Sequence, residues 1–252
     1  MSEEPQTVSP ERASTPAPQR KTSRPPVDEE GDRWRSNLRT IGGAVILAIF
    51  IRITLFEAFE IDGPSMEPTL LHEDRVVVAK CLYGLFLPGM RQAVLNWGTP
   101  NLGDVVIVKS PADEFDIVKR VIGVPGDTIE VRNLQVYRNG TPIPTREVGP
   151  CRADQEKDLD PDCYVYEERI GTHVYRTSHG RNALRDDVGP ITVPPGHIFV
   201  MGDHRDHSND SRNPLVGPVP VTRVKGRALL IYLSGSAFQG RVRWERMGHG
   251  VD

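Results

Sequence analysis

The sequence IDGPSMEPTL, residues 61–70, places a serine among one glycine and two prolines, directly after an apolar segment. Because proline fixes φ and glycine frees it, this stretch predicts a stiff, sharply shaped loop that can hold the Ser65 hydroxyl toward a substrate. Glycine, proline and serine are also ordinary turn residues, so a plain turn is the alternative. The rest of the chain has to decide between the two.

The segment before this loop predicts a membrane-spanning helix. Residues 40–56 carry no charge except Arg52, and at about 1.5 Å per residue a helix of that length matches the core of a bilayer. A cleaved signal peptide would begin near residue 1, and a buried helix would alternate polar and apolar faces. Arg52 lies near the far end, where a long side chain can reach the interface. We therefore expect a transmembrane helix over residues 39–57.

Basic residues predict the orientation of this helix. Arg33, Arg35 and Arg39 precede the apolar run, whereas the first twenty or so residues after it contain only Arg75. Because cytoplasmic flanks carry the excess of positive charge, the N-terminus is expected in the cytoplasm and the remainder of the chain outside it. Residues 1–38, which are rich in proline and polar residues at their start, are expected to form a disordered cytoplasmic tail.

The remainder of the chain predicts a mostly β fold. Short runs rich in Val, Ile and Tyr recur between glycine and proline turns, with no long helical period among them. The predicted strands cover residues 75–79, 104–109, 117–122, 128–131, 134–138, 164–170, 172–177, 197–201 and 227–233. Asn139-Gly140 predicts a hairpin turn. We expect one β domain over residues 58–240, with a polar, β-rich insertion at about 141–189 and a C-terminal tail over 241–252.

Composition and cysteine spacing exclude several kinds of partner. A formal net charge of −3 provides no basic field, so nucleic acid is not an expected partner. The three cysteines have no zinc-site spacing, and no metal or other cofactor is expected. Outside the cytoplasm a disulfide between Cys151 and Cys163 can persist, which leaves Cys81 as a small buried residue.

A serine hydroxyl is a weak nucleophile and needs a base. None of the seven histidines lies in a recognisable triad setting such as GxSxG. Lys119 lies in the apolar run 117–122, where alternation places it among inward-facing side chains or at a cleft. As a base its pKa must fall from about 10.4 to near 7, through burial or a neighbouring positive charge. A lysine that only protects an edge strand is the alternative.

Residues 202–212, GDHRDHSNDSR, are the third unusual stretch, because they interleave aspartates with arginines and two serines. A metal site made from the aspartates and histidines is one interpretation, but the arginines oppose a cation and the pattern is not that of a calcium loop. A solvated polar turn is the second interpretation. A scaffold that hydrogen-bonds and positions a catalytic residue is the third.

Taken together, these stretches resemble bacterial type I signal peptidases, membrane-bound serine proteases that remove signal peptides from exported proteins. The nucleophile motif of that family matches GPSMEPTL, and its next boxes match GDVVIV at 103–108, KRVIGVPGD at 119–127 and GDHRDHSNDSR at 202–212. The resemblance covers roughly residues 52–139 and 192–233. It implies a mostly β, signal-peptidase-like catalytic domain with an inserted β-rich subdomain, preceded by one transmembrane helix.

The resemblance also implies a role for each matching residue. Ser65 would be the nucleophile and a neutral Lys119 the general base. Ser208 would orient the lysine amine, in front of an ion-pair frame made of Asp210, Arg212, Arg120, Asp203 and Arg205. Gly63 stands where some members carry an oxyanion-binding serine. The oxyanion hole is therefore expected at Ser65 and Gly63, with the Ser65 N–H as one donor and a backbone amide or a water as the second.

The implied substrates are signal peptides of secreted preproteins, with small residues at positions −1 and −3 from the cut. The expected apolar walls of the cleft are Phe59, Ile61, Met66, Leu70 and Val118. The strand over 117–122 can pair with an extended substrate by strand addition. The lipid bilayer is the other expected partner, no obligate protein partner is expected, and the expected location is the cell membrane, with a single pass.

Two other functions stay open at the level of sequence. A self-cleaving Ser/Lys peptidase of the repressor type shares the dyad, but such a protein is soluble and often carries a DNA-binding domain. A membrane-tethered β domain that only binds a partner would make Ser65 and Lys119 structural residues. The apolar segment and the absence of a basic domain argue against the first of these.

Overall fold

The structure is a computed structural model that describes residues 29–86, 89–151, 162–181, 187–236 and 240–251. Most of the predicted disordered tail, residues 1–28, lies outside the described residues. The chain divides into one compact unit over residues 1–45 and a second over residues 46–252. The strands and all of the predicted site residues belong to the second unit.

The helix α1 spans Glu29–Thr54. It therefore begins well before residue 39 and ends before residue 57, and residues 29–38, which were expected in the disordered tail, are helical. The apolar run determines only where a membrane span could lie. The ends of a helix depend on its backbone hydrogen bonds, and α1 therefore begins in the charged residues before that run. Among the residues that the structure describes, no helix combines the length and the apolar content needed to cross a membrane.

Seventeen strands follow in the described part of the chain, and the mostly β prediction is confirmed. They are β1 (Phe56–Glu60), β2 (Asp74–Ala79), β3 (Gly84–Leu85), β4 (Leu95–Asn96), β5 (Val105–Lys109), β6 (Asp116–Gly123), β7 (Thr128–Arg132), β8 (Gln135–Arg138), β9 (Thr141–Pro142), β10 (Thr145–Pro150), β11 (Cys163–Ile170), β12 (His173–Gly180), β13 (Val188–Thr192), β14 (His197–Met201), β15 (Val219–Pro220), β16 (Val224–Ser236) and β17 (Arg241–Val242). The nine predicted strands correspond to β2, β5, β6, β7, β8, β11, β12, β14 and β16. Most of the others are only two residues long, too short for a period-2 pattern to reveal.

The main sheet has eight strands in the order β1-β2-β16-β5-β6-β14-β15, with β17 paired to β16. Its central strand β5 shows why this sequence forms a buried strand. Val105 and Ile107 join one hydrophobic cluster, and the alternate residues Val106 and Val108 join another. Because side chains alternate along a strand, a continuous apolar run can supply a core on both faces of the sheet.

The predicted insertion contains a three-stranded sheet, β10-β11-β12, which in the chain separates β9 from β13, two strands of a four-stranded sheet with the order β13-β7-β8-β9. It is not a separate folding unit, because Tyr175 on β12 packs in one hydrophobic cluster with Ile122 and Phe199 of the main sheet. The turn Asn139-Gly140 joins β8 to β9 with φ of 54° and 76°, and the hairpin prediction is confirmed. The structure also joins Cys151 to Cys163 by a disulfide, while Cys81 is half-buried.

Residues 241–251 were expected to form a tail, and this prediction is wrong. The segment pairs with β16 through β17 and through a bridge between Leu230 and Gly250. Arg246 donates a hydrogen bond of 2.6 Å to the buried carboxylate of Asp74, and Val251 is itself buried. Neutralisation of a buried carboxylate and burial of a valine hold this segment on the domain.

Candidate active site

The turn that carries Ser65 lies between β1 and β2. Its base is closed by a hydrogen bond from the Ile61 N–H to the Asp74 carbonyl, 2.8 Å long. Gly63 has a φ of +98°, a conformation that favours glycine and that lets the chain enter the turn. Met66 and Leu70 are buried in the hydrophobic cluster below it. The turn is thus anchored on both sides of Ser65, whose own side chain is half-buried.

Lys119 reaches this serine from β6. Its Nζ lies 2.7 Å from Ser65 Oγ, and the residue is only 2% exposed. Burial lowers the pKa of Lys119 to about 8, against the carboxylates of Asp210 and Asp203, which raise it. Removal from water disfavours the ammonium form, so a substantial fraction of the amine is neutral at mildly alkaline pH. The predicted nucleophile and base are therefore within hydrogen-bonding distance.

Asp210 organises the loop over residues 202–212. It accepts hydrogen bonds from Ser208 Oγ (2.7 Å), the Gly202 N–H (2.9 Å) and Arg212 Nε (2.8 Å). Burial alone would raise the pKa of Asp210, but these bonds and the charge of Arg212 lower it overall, so the group is a carboxylate.

Ser208 was expected to orient the lysine amine. In the described part of the chain its hydroxyl donates to Asp210, and no hydrogen bond joins it to Lys119. A buried carboxylate is a stronger acceptor than a neutral amine, which explains where the hydroxyl proton goes. The hydrogen bond of the Ser208 hydroxyl is thus to Asp210, and its predicted role toward Lys119 stays a prediction.

Arg120 points away from Lys119, as adjacent residues on a strand must. It makes two hydrogen bonds to Asp203, of 2.9 and 2.7 Å, and a third of 2.9 Å to the Gly103 carbonyl. Its guanidinium carbon also lies 4.1 Å from the centre of the Tyr175 ring. Both charged side chains are buried, with 0% and 1% exposure, so this ion pair is isolated from solvent.

The expected single frame is three separate ion pairs. Asp210 pairs with Arg212, and Arg120 pairs with Asp203. Arg205 pairs instead with Glu168 of β11, at 2.5 Å, and both side chains are buried. Sequence reasoning missed Glu168, because its partner lies 37 positions away and outside any shared motif.

Two more residues near the turn were missed. Ser178 on β12 is fully buried, and its hydroxyl donates a 3.0 Å hydrogen bond to the Glu67 carbonyl. Gly202 packs so closely that a Cβ there would collide with the Ser208 side chain and the Ser65 carbonyl. The only signal for Gly202 was its place at the start of the 202–212 motif, and the sequence carried none for Ser178.

The acidic and histidine side chains of residues 202–212 contact other protein groups and are not arranged as a metal site in the described residues. Asp206 accepts a hydrogen bond from the Gly180 N–H at 2.6 Å, and within the described ranges no three potential ligands are placed to hold a metal ion. His204 is buried next to His207, with ring centres 4.4 Å apart. Burial, and then the charge of His207, lower the pKa of His204 to about 4, so it is neutral at physiological pH.

The two backbone amides expected at the oxyanion hole, those of Gly63 and Ser65, differ in their hydrogen bonding. The Gly63 N–H donates to Nδ1 of His72 at 3.3 Å, so this amide already has a partner. No hydrogen bond occupies the Ser65 N–H among the residues described. The Ser65 amide therefore stays the predicted donor, and the second donor stays unassigned.

The five predicted apolar walls lie together. Ile61, Met66, Leu70 and Val118 are buried in one hydrophobic cluster, and Phe59 packs against it from β1. These side chains support the turn from below. Their contact with a substrate stays a prediction.

Comparison with known proteins identifies the family. The family model described as "Signal peptidase, peptidase S26" matches residues 34–233. The chain belongs to the signal peptidase family. A signal peptidase I of Pseudomonas aeruginosa is 33% identical over 202 residues, which cover 75% of this chain and 69% of that protein. A signal peptidase I S of Bacillus subtilis is 36% identical over 172 residues, covering 68% and 74%.

A solved signal peptidase I from Enterococcus faecalis is 26% identical, with a TM-score of 0.32, and covers 52% of this chain and 97% of that one. Membership of the signal peptidase family rests on the sequence matches. It makes this chain an enzyme, a serine peptidase.

Proposed function

We propose that this enzyme cleaves N-terminal signal peptides from exported preproteins, with Ser65 as nucleophile and Lys119 as general base. The observation that carries the proposal is the 2.7 Å contact between Lys119 Nζ and Ser65 Oγ, made by a buried lysine whose pKa is lowered to about 8. The substrate class follows from the family, because the relatives are themselves signal peptidases. A repressor-type peptidase or a purely binding domain has no comparable support.

The proposed reaction has two stages. Neutral Lys119 accepts the Ser65 proton while Oγ attacks the carbonyl carbon of the scissile bond, and negative charge develops on that carbonyl oxygen opposite the Ser65 N–H. The lysine ammonium then protonates the leaving amine as the C–N bond breaks, which leaves an ester on Ser65. The same lysine next deprotonates a water that attacks the ester, and the proton returns to Ser65 Oγ.

The charged pairs are proposed to support this chemistry without touching the substrate. Asp210, held by Arg212 and Ser208, binds the Gly202 amide and so fixes the backbone that packs on the Ser65 carbonyl. The same loop is also held by two buried ion pairs, Arg120 with Asp203 and Arg205 with Glu168.

The edge of β6 supports the proposed mode of substrate binding. β6 pairs with β5 from Asp116 to Arg120, but with β14 only from Arg120 to Gly123. In the described part of the chain, residues 117–119 therefore have no strand on the side opposite β5. An extended peptide added there would run next to Lys119. Alternate residues of such a peptide face the same side, so positions −1 and −3 would face the same wall of the cleft.

We also propose that α1 anchors the enzyme in the cell membrane in a single pass, with the N-terminus in the cytoplasm and the β domain outside. The apolar run over residues 40–56 contains one charge, Arg52. Side chains described on the helix, such as Ile41, Ile46 and Phe50, are strongly exposed. Exposed apolar side chains on one helix are stabilised by lipid, and the arginines before the run favour this orientation.

The test is cleavage of a secretory precursor by the detergent-solubilised full chain, with the cut located by mass spectrometry. We expect one cut after a small residue, and we expect loss of cleavage when that residue is replaced by tryptophan. Ser65→Ala should yield no product. Cleavage of the enzyme alone, with the precursor left intact, would favour the repressor-type function. Binding of the precursor without any cleavage would favour the binding domain.

The pH profile tests which group is the base. Because the neutral form of Lys119 is the active one and burial lowers its pKa to about 8, kcat/KM should rise through pH 8 and stay high above it. At pH 7 about a tenth of the molecules would carry the neutral amine. The measurement is initial rates between pH 5 and 10. A midpoint near 6.5 that disappears in His207→Asn would contradict the lysine base.

A further inference from the structure

Four successive carbonyl oxygens of the Ser65 turn, from residue 64 to residue 67, all accept hydrogen bonds. The donors, in chain order of the acceptors, are Glu67 N–H to Pro64 (2.9 Å), His204 N–H to Ser65 (3.2 Å), Leu70 N–H to Met66 (2.9 Å) and Ser178 Oγ to Glu67 (3.0 Å). Three of these donors are main-chain amides. The Ser178 hydroxyl is the one side chain among these four donors, and the His204 imidazole also interacts with the Pro64 carbonyl.

Ser178 also joins the turn to the loop over residues 202–212. Its N–H donates to the Asp203 carbonyl at 2.9 Å, and its own carbonyl accepts the Arg205 N–H at 2.9 Å. Between them lies a parallel bridge from Ser178 to His204, the residue whose N–H holds the Ser65 carbonyl. One residue of β12 thus fixes the loop with its backbone and the turn with its side chain.

A chain of contacts leads from Ser178 to the amide of the nucleophile. The hydroxyl of Ser178 holds the Glu67 carbonyl, which belongs to the 67–68 peptide, and the Glu67 N–H of the adjoining 66–67 peptide holds the Pro64 carbonyl. The Pro64 C=O and the Ser65 N–H belong to one planar trans peptide and point in opposite directions. Holding that C=O within the turn therefore directs the Ser65 N–H outward.

Burial makes this contact consequential. Ser178 is 0% exposed and Glu67 is 1% exposed, so water cannot readily replace a hydroxyl that has been removed. Loss of the Ser178 donor in such a place favours rotation of the 67–68 peptide toward another donor. Because the two peptides share the Glu67 Cα, rotation of the 67–68 peptide would shift the 66–67 peptide, whose N–H holds the Pro64 carbonyl.

We propose that Ser178 is a positioning residue for the oxyanion-binding N–H of Ser65 and acts through the Glu67 backbone. The proposal rests on the proposed function, because it takes Ser65 as the nucleophile. It assigns a catalytic purpose to the inserted sheet, which lies outside the part of the chain that resembles the family boxes. Ser178 itself touches neither the substrate nor Lys119.

The experiment compares Ser178→Ala with the unaltered full chain in detergent. Loss of the hydroxyl should lower kcat about tenfold with KM changed less than twofold, because the oxyanion forms after substrate binds. A peptide aldehyde with a C-terminal alanine is the second probe, since its adduct with Ser65 carries the same oxyanion. Its affinity should fall by the same factor as kcat. The pH midpoint should not move, because Lys119 is untouched.

Two variants separate positioning from folding. Ser110→Ala removes another buried serine hydroxyl, at 1% exposure, whose one hydrogen bond in the described ranges comes from the Ala112 N–H of its own loop. This variant should leave kcat and aldehyde affinity unchanged. Ser178→Cys keeps the volume but supplies a weaker donor, and we expect an intermediate loss of kcat. Rates are given per active site, counted by titration with the aldehyde.

The outcomes are distinct. Wild-type kcat per active site in Ser178→Ala, or a loss confined to the number of active sites, would overturn the positioning role. Equal losses of kcat in Ser178→Ala and Ser110→Ala would also overturn it. If Ser65→Ala still cleaved the precursor, the proposed function itself would fail. If Ser65→Ala were inactive while Ser178→Ala behaved as wild type, only this inference would fail.

Discussion

Replacing Lys119 with methionine is expected to lower kcat at least about 1,000-fold, with KM changed no more than a few-fold. The 2.7 Å contact from Nζ to Ser65 Oγ gives the serine its only described side-chain partner, and methionine keeps most of the volume of the buried side chain while removing the amine. Without a base, the Ser65 hydroxyl has to lose its proton to solvent in a half-buried site. The chemical step slows, whereas the strand edge that binds substrate is preserved.

The measurement is single-turnover cleavage of a precursor at pH 9, where the lysine of the unaltered enzyme is mostly neutral. Lys80→Met is the matched control. Lys80 is also buried, at 7% exposure, but it pairs with Glu57 and should leave the rate per folded molecule unchanged. A Lys119→Met rate within tenfold of the unaltered enzyme would exclude lysine as the base. The pH profile would then have to be explained by another group.

The fold could be predicted wherever a local pattern is long enough. β5 and β6 were found because apolar residues fill both faces of a central strand, and the Asn139-Gly140 hairpin because both residues tolerate positive φ. The C-terminal segment was missed because what holds it is not local. Arg246 is stabilised by Asp74, 172 positions earlier in the chain, and no sequence window contains both.

The site residues also differ in whether a local sequence motif predicts them. Ser65 and Lys119 lie in motifs whose residue order is recognisable, so their pairing could be expected. Glu168 and Ser178 lie in the insertion, where one pairs with an arginine of another segment and the other with a backbone carbonyl. A bond to a carbonyl places no demand on the identity of the accepting residue. Such a contact leaves no pattern in the sequence, and only the register of β12 reveals it.

Breaking the buried ion pair between Arg120 and Asp203 is expected to have the largest effect on stability. Arg120→Met should lower the free energy of unfolding by about 3–5 kcal/mol, because it leaves the buried Asp203 carboxylate without the guanidinium that pairs with it. It also removes the hydrogen bond to the Gly103 carbonyl and the contact with Tyr175. Since Asp203 follows Gly202, the residue that packs on the Ser65 carbonyl, activity should fall along with the folded fraction.

The double variant Arg120→Met/Asp203→Leu distinguishes a missing counter-charge from a missing contact. A buried ion pair replaced by apolar residues of similar volume is often nearly neutral, so the double variant should be more stable than Arg120→Met alone by at least about 2 kcal/mol. Urea unfolding of the detergent-solubilised chain, followed by tryptophan fluorescence, measures both. Arg146→Met is the control, because Arg146 and Glu167 form an exposed pair, and about 1 kcal/mol or less should be lost. The loss of unfolding free energy in the double variant could instead equal the sum of the losses in Arg120→Met and Asp203→Leu. The cost would then come from lost hydrogen bonds and not from the unpaired Asp203 carboxylate.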